Sequence, residues 1–159
     1  MSNQVILWSM LILPWFTLFF MKKEDIKRWM PMALFTMVTN TIIIDSGVGL
    51  NIFQIHENTY PLKEMISYNY GVLPVGTMWI FKYTYGRFWL CAFIELIFSI
   101  VFIRIIHPFL HHRDILVWIN PTAIGGFGAF VTTAIHFICI YLYQMWQESV
   151  FALTNKNKL

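Results

Sequence analysis

Residues 88–106 read FWLCAFIELIFSIVFIRII. Glu95 and Arg104 are the only charged side chains in that run. At about 1.5 Å of rise per residue, such a helix is long enough to cross a hydrocarbon core of about 30 Å. The run therefore reads as a transmembrane helix. A carboxylate in its middle costs about 2.5–3.5 kcal/mol even on lenient insertion scales, so the fold has to offset Glu95. Asp45 and His136 stand in similarly apolar surroundings.

The rest of the chain repeats the pattern. Of its 159 residues, 58% are hydrophobic and 12% charged. Soluble domains run near about 45–50% and about 25%. The apolar residues fall in runs separated by short polar punctuation, which predicts an all-α integral membrane bundle of about five transmembrane helices forming a single domain. The expected spans cover residues 4–21, 29–50, 65–81, 88–106 and 122–145, with a short polar tail over 147–159. Residues 5–21 lack a basic start and a cleavage site of small residues, so they read as an uncleaved span. Pro14 is expected to kink that span, and Pro31 suits the first turn of the second.

Residues 22–28, KKEDIKR, and residues 51–63 read as loops. The third span carries Tyr68, Asn69, Tyr70, Gly71, Pro74 and Gly76, a mixture that predicts an irregular or broken helix facing protein rather than lipid. A four-span arrangement without it would break the alternation of loops across the membrane. Pro108 is expected to close the fourth span, and residues 115–119 to lie along the interface, anchored by Trp118.

Five spans place the two ends of the chain on opposite sides. With the amino terminus outside, Lys22, Lys23, Lys27, Arg28, Lys82, Arg87, Lys156 and Lys158 lie inside, against Lys63, Arg104 and Arg113 outside. Eight of the eleven basic residues then face the cytoplasm, together with the carboxyl terminus, as the positive-inside rule requires. The net charge of +3 follows from that rule, and no basic and aromatic residues interleave as a nucleic-acid surface would need. The expected partners are the lipid bilayer and, for so small a bundle, a second copy or a larger membrane complex. No motif calls for a cofactor.

Antiparallel neighbours can be compared by depth. Counting from their shared inner ends, Glu95 on the fourth span and His136 on the fifth fall at one level, as do Cys91 and Cys139. Glu95 and His136 are expected to share a proton or a hydrogen bond, the alternative being that each is satisfied separately. A metal held by Cys91, Glu95, His136 and Cys139 would need all four to converge. Otherwise the two cysteines are small packed thiols. Asp45 and Arg104 both lie near the outer end and can pair, or reach the headgroups separately. Asn40, with Thr36 and Thr41, offers interhelical hydrogen bonds, and Gly125, Ala129 and Thr133 form a small-residue row suited to close packing. His107, His111 and His112 read as interfacial histidines. The polar seam is thus Glu95, His136, Asp45, Arg104 and Asn40.

Residues 22–35, KKEDIKRWMPMALF, resemble a family of small multi-pass membrane proteins of endospore-forming Gram-positive bacteria. The likeness extends to Asp45, the glycines after it and the Asn120-Pro121 start of the fifth span. It implies a bacterial membrane setting and brings no catalytic or binding residues with it. Three functions fit the sequence. The first is a non-enzymatic accessory or structural membrane protein, with the polar seam specifying packing. The second is a small proton-linked transporter or channel using Glu95, His136 and Asp45. The third is a lipid-acting membrane enzyme with Glu95 and His136 as acid and base.

Overall fold

The computed structural model describes residues 2–62, 66–119 and 127–156. The described residues are all-α apart from two three-residue strands. Helix α1 (Asn3–Phe16) passes into a 3-10 turn (Thr17–Phe20), and α2 (Lys23–Gly49) follows after two residues. Strand β1 (Phe53–Ile55) precedes α3 (Ser67–Tyr70) and α4 (Val72–Thr84). Helix α5 (Phe88–Val101), a π turn (Phe102–Ile106) and α6 (His107–His112) run on without a break. Strand β2 (Leu116–Trp118) comes before the long α7 (Phe127–Lys156). Among the described residues, three helical stretches are long and apolar enough to cross a membrane: Asn3–Phe20, Lys23–Gly49 and Phe88–His112.

Several boundaries differ from the sequence reading, each for a local reason. Helix α2 starts at Lys23, so the charged stretch expected as a loop is its first turns and Pro31 lies inside it. Glu24 and Asp25 fall in the first turn, where carboxylates meet the positive end of the helix dipole. The fourth helix does not stop at Pro108. The π turn just before it widens the coil where the proline lacks its N–H and needs room for its ring. Helix α7 continues through residues expected as tail. Residues 120–126, which include Gly125 and the Asn120-Pro121 start, lie outside the described residues.

The third helix is broken. Gly71 sits between α3 and α4 with φ −121° and ψ −76°. A Cβ at Gly71 would stand 2.6 Å from the Leu11 carbonyl oxygen and closer still to that of Met10. The break is where α1 crosses backbone against backbone, which only glycine permits.

Residues 51–63 and 115–119 are not independent surface pieces. They pair as an antiparallel ribbon with register Phe53 to Trp118, Gln54 to Val117 and Ile55 to Leu116. The pairing is prolonged by His56 N–H to the Ile115 carbonyl (2.9 Å) and Ile119 N–H to the Ile52 carbonyl (3.0 Å). The core divides in two. One cluster, beside the ribbon, joins Leu7, Ile44, Tyr68, Leu110, Ile115 and Leu116. The other lies toward the opposite end and is dominated by Trp29, Met32, Met78, Phe81, Phe137 and Ile140.

Replacing Gly71 with valine should destabilise the fold by at least about 1–3 kcal/mol through overpacking against α1. Gly49 has nothing within 4 Å of an added Cβ, so alanine there should leave the midpoint of denaturant unfolding in detergent unchanged. Equal midpoints for the two variants would contradict the close crossing.

Candidate functional site

Residues 36–41 of α2 read TMVTNT. The three threonine hydroxyls turn back to carbonyls of their own helix: Thr36 to Met32 (2.9 Å), Thr39 to Phe35 (2.9 Å) and Thr41 to Met37 (2.8 Å). That leaves their oxygens free to accept. Thr39 Oγ1 lies 2.7 Å from His136 Nε2. With the hydroxyl proton directed to Phe35, the imidazole Nε2–H is the donor to Thr39.

On the other side of α2, Asn40 Nδ2 donates to Asn69 Oδ1 (2.7 Å), and Asn69 Nδ2 donates to Thr41 Oγ1 (2.7 Å). The Tyr70 hydroxyl is 3.5 Å from the same Thr41 oxygen, and the Tyr70 carbonyl accepts from Trp15 Nε1 (2.9 Å). One turn of α2 thus reaches α7 through Thr39 and α3 through Asn40 and Thr41, with α1 attached through Tyr70. Successive helical residues point about 100° apart, which is why neighbours in sequence serve different helices. Asn69 is 1% exposed.

The residues singled out from the sequence do not all meet. Asn40 belongs to this belt. His136 belongs to it as well, but its ring is bonded to Thr39 and not to Glu95. Glu95 is half-buried on α5 between buried Cys91 and buried Ser99. Its side chain makes no hydrogen bond or ion pair among the described residues, and the Ser99 hydroxyl goes to its backbone carbonyl (2.8 Å). The acid–base pair expected of Glu95 and His136 is therefore not formed. Equal depth fixes only height along two helices, and the His136 ring points toward α2.

Cys91 is buried while Cys139 is exposed, so the two thiols do not share a pocket. No three His, Cys, Asp or Glu residues converge as a metal site among the described residues. Asp45 and Arg104 are both exposed. Ion pairs among the described residues include Arg28–Glu148, His56–Asp114 and Lys82–Asp25, and among those residues Asp45 and Arg104 form no pair with each other. Each stands exposed at a helix surface.

Polar clasps close both ends of the bundle. Next to the ribbon, the Glu57 carboxylate accepts from Asn3 Nδ2 and Gln4 Nε2, both at 2.7 Å. Asn3 also donates to the Arg113 carbonyl (3.0 Å), and Gln4 Oε1 accepts from the Tyr60 N–H (2.9 Å). At the opposite end, Arg28 Nε donates to Glu148 Oε1 (2.7 Å), and the Arg28 guanidinium lies 4.5 Å from the Trp29 ring centroid. Gln147 Nε2 donates to the Arg28 carbonyl (3.3 Å). Burial, then the Glu148 carboxylate beside it, push the Tyr85 hydroxyl up to about 12, so it keeps its proton throughout the neutral range.

Asn69, Thr39, Glu57 and Glu148 carry much of this polar framework and were not singled out from the sequence. Asn69 marked only the irregularity of the third span. The available signal was a second asparagine, Asn40, on a neighbouring span. No family model, curated protein or solved structure matches the chain.

Replacing buried Asn69 with alanine removes the partner of Asn40 and of Thr41, both half-buried, and should cost about 1–3 kcal/mol. In a double-mutant cycle, Asn40→Ala and Asn69→Ala should couple by about 0.6–1.7 kcal/mol, the range of interhelical hydrogen bonds in membrane proteins. Strict additivity in unfolding from mixed micelles would mean the two amides do not bond.

Proposed function

We propose that this chain is a five-pass integral membrane protein with a non-enzymatic, accessory or structural role in a larger membrane complex. Its amino terminus lies outside and its carboxyl terminus in the cytoplasm. The observation that carries this reading is how the intramembrane polar groups are used. Thr39, Asn40, Thr41, Asn69 and His136 bond to one another across helices, leaving none of them directed at an enclosed cavity among the described residues. A belt of this kind fixes which helices touch and in what register, as buried polar groups do in other helical assemblies.

The distribution of clasps supports the same alternation of ends. The start of α1, the residues after α2 and those after α6 meet at one end, while the start of α2, the end of α4 and α7 meet at the other. The broken helix α3–α4 serves as the third pass in this reading. The likeness of residues 22–35 to the small multi-pass family of endospore-forming Gram-positive bacteria supports a bacterial cell membrane as the setting.

Glu95 favours a second reading. An intramembrane carboxyl with no partner among the described residues is the feature expected of a proton-linked carrier. The two readings separate on three variants of the full chain in proteoliposomes. On the structural reading, Asn69→Ala and His136→Ala lower the folded yield, Glu95→Gln leaves it within about 0.5 kcal/mol of native stability, and the native chain does not dissipate an imposed pH gradient. A proton leak through the native chain that Glu95→Gln abolishes without loss of fold would replace the structural reading with the carrier. A tag at the carboxyl end, protected from protease in right-side-out vesicles, tests the orientation.

A further inference from the structure

Helix α1 packs on α3 and α4. Between α1 and α2 a groove of about 460 Å³ is left open. Helix α1 contributes Leu11, Ile12 and Phe16, the 3-10 turn contributes Phe19, and α2 contributes Met37. Tyr70 of α3 closes it, held by the Trp15 indole that donates to its carbonyl. From Leu11 to Phe19 the groove follows the chain for roughly 12 Å at helical rise. It begins beside the polar belt and ends at Phe19 and Phe20, which are 83% and 84% exposed.

Immediately beyond come Lys22 and Lys23, both exposed. The basic residues at this end fall into two groups. Arg28 and Lys82 are engaged by Glu148 and Asp25. Lys22 and Lys23 make no ion pair among the described residues, and neither do exposed Arg87, at the start of α5, and exposed Lys27, which lies one turn after Lys23 on the same helix face. An open apolar groove thus ends at the exposed Phe19 ring, with ammonium groups in no ion pair a few residues on in the chain.

We propose that the groove and these lysines form one binding site for an anionic phospholipid, with an acyl chain along Leu11–Phe19 and the phosphate headgroup on Lys22 and Lys23. The proposal rests on the reading of the chain as an integral membrane protein. Lipid will wet any groove that faces a bilayer. What distinguishes this one is the pair of free ammonium groups at its headgroup end, because each basic residue at an anionic surface contributes roughly fivefold to affinity. The aromatic rings of Phe19 and Phe20 mark the depth at which a chain passes into its headgroup.

The test uses the full chain in nanodiscs of equal phosphatidylglycerol and phosphatidylcholine, followed by native mass spectrometry of co-purified lipid. The native chain should retain phosphatidylglycerol over phosphatidylcholine by roughly tenfold or more. K22Q/K23Q should bring that ratio close to one while the chain still elutes as folded protein. Ile12→Trp, at a position 41% exposed, should fill the groove and reduce retention of both lipids. Equal retention of the two lipids by the native chain, or an unchanged ratio in K22Q/K23Q, would overturn the site. Alkaline carbonate washing of native membranes separates this failure from that of the underlying reading. A chain that stays with the membrane but shows no lipid preference loses only the site. A chain that washes off loses both.

Discussion

Polar groups packed between helices must find their partners inside the bundle, and the turn at Thr39–Asn40–Thr41 is where this bundle answers that constraint. Each threonine hydroxyl spends its proton on its own helix, and the oxygens and amides left over reach outward in two directions. Because the residues are consecutive, a rotation of α2 about its axis would break the contacts to α3 and α7 together. Sliding it by one residue would do the same. Apolar packing tolerates such shifts more readily, since one leucine-like surface resembles another. The belt therefore supplies register and the apolar clusters supply cohesion. The close crossing of α1 at Gly71 depends on α3 being held in place by the same amides.

The apolar runs were legible in the sequence because every residue in them adds to the same signal. Their ends were less legible. Residues 22–28 carry charge typical of a loop, yet Glu24 and Asp25 stand where a helix dipole favours them, and α2 begins there. The ribbon was invisible because three-residue strands are too short to show alternation and their partners are remote in sequence. The belt was half legible. Asn40 stood out as a polar residue in a span, whereas Asn69 lay among residues that spoke only of irregularity. Glu95 and His136 matched in depth, but depth says nothing about azimuth, and the facing direction of His136 is set by α2.

Glu95 and the belt illustrate two solutions to one problem. The belt residues are neutral and complete one another, so they lower the cost of burial and gain specificity. Glu95 stands outside the belt, half-buried between Cys91 and Ser99, with its functional group uncommitted among the described residues. The exposed flank of α5 beside it includes Trp89, Phe93, Leu96 and Ile97. A half-buried carboxyl there is more open to a helix docking against α5 than Asn69, which is 1% exposed.

The ribbon ties the bundle to the order of its synthesis. Strand β1 leaves the ribosome well before β2, with the third and fourth helices made in between. At roughly 5–20 residues per second, the Phe53–Ile55 edge waits several seconds for its partner. Glu57 needs no later residue to receive Asn3 and Gln4, because all three are present once α2 and the residues just after it have been made. The amide clasp needs only residues made up to Glu57, whereas the backbone groups of β1 need Leu116–Trp118. Closing the ribbon requires residues 116–118 to return to the same end of the bundle as residues 53–55, so this short pairing couples the ends of α2 and α6 across all the chain between them.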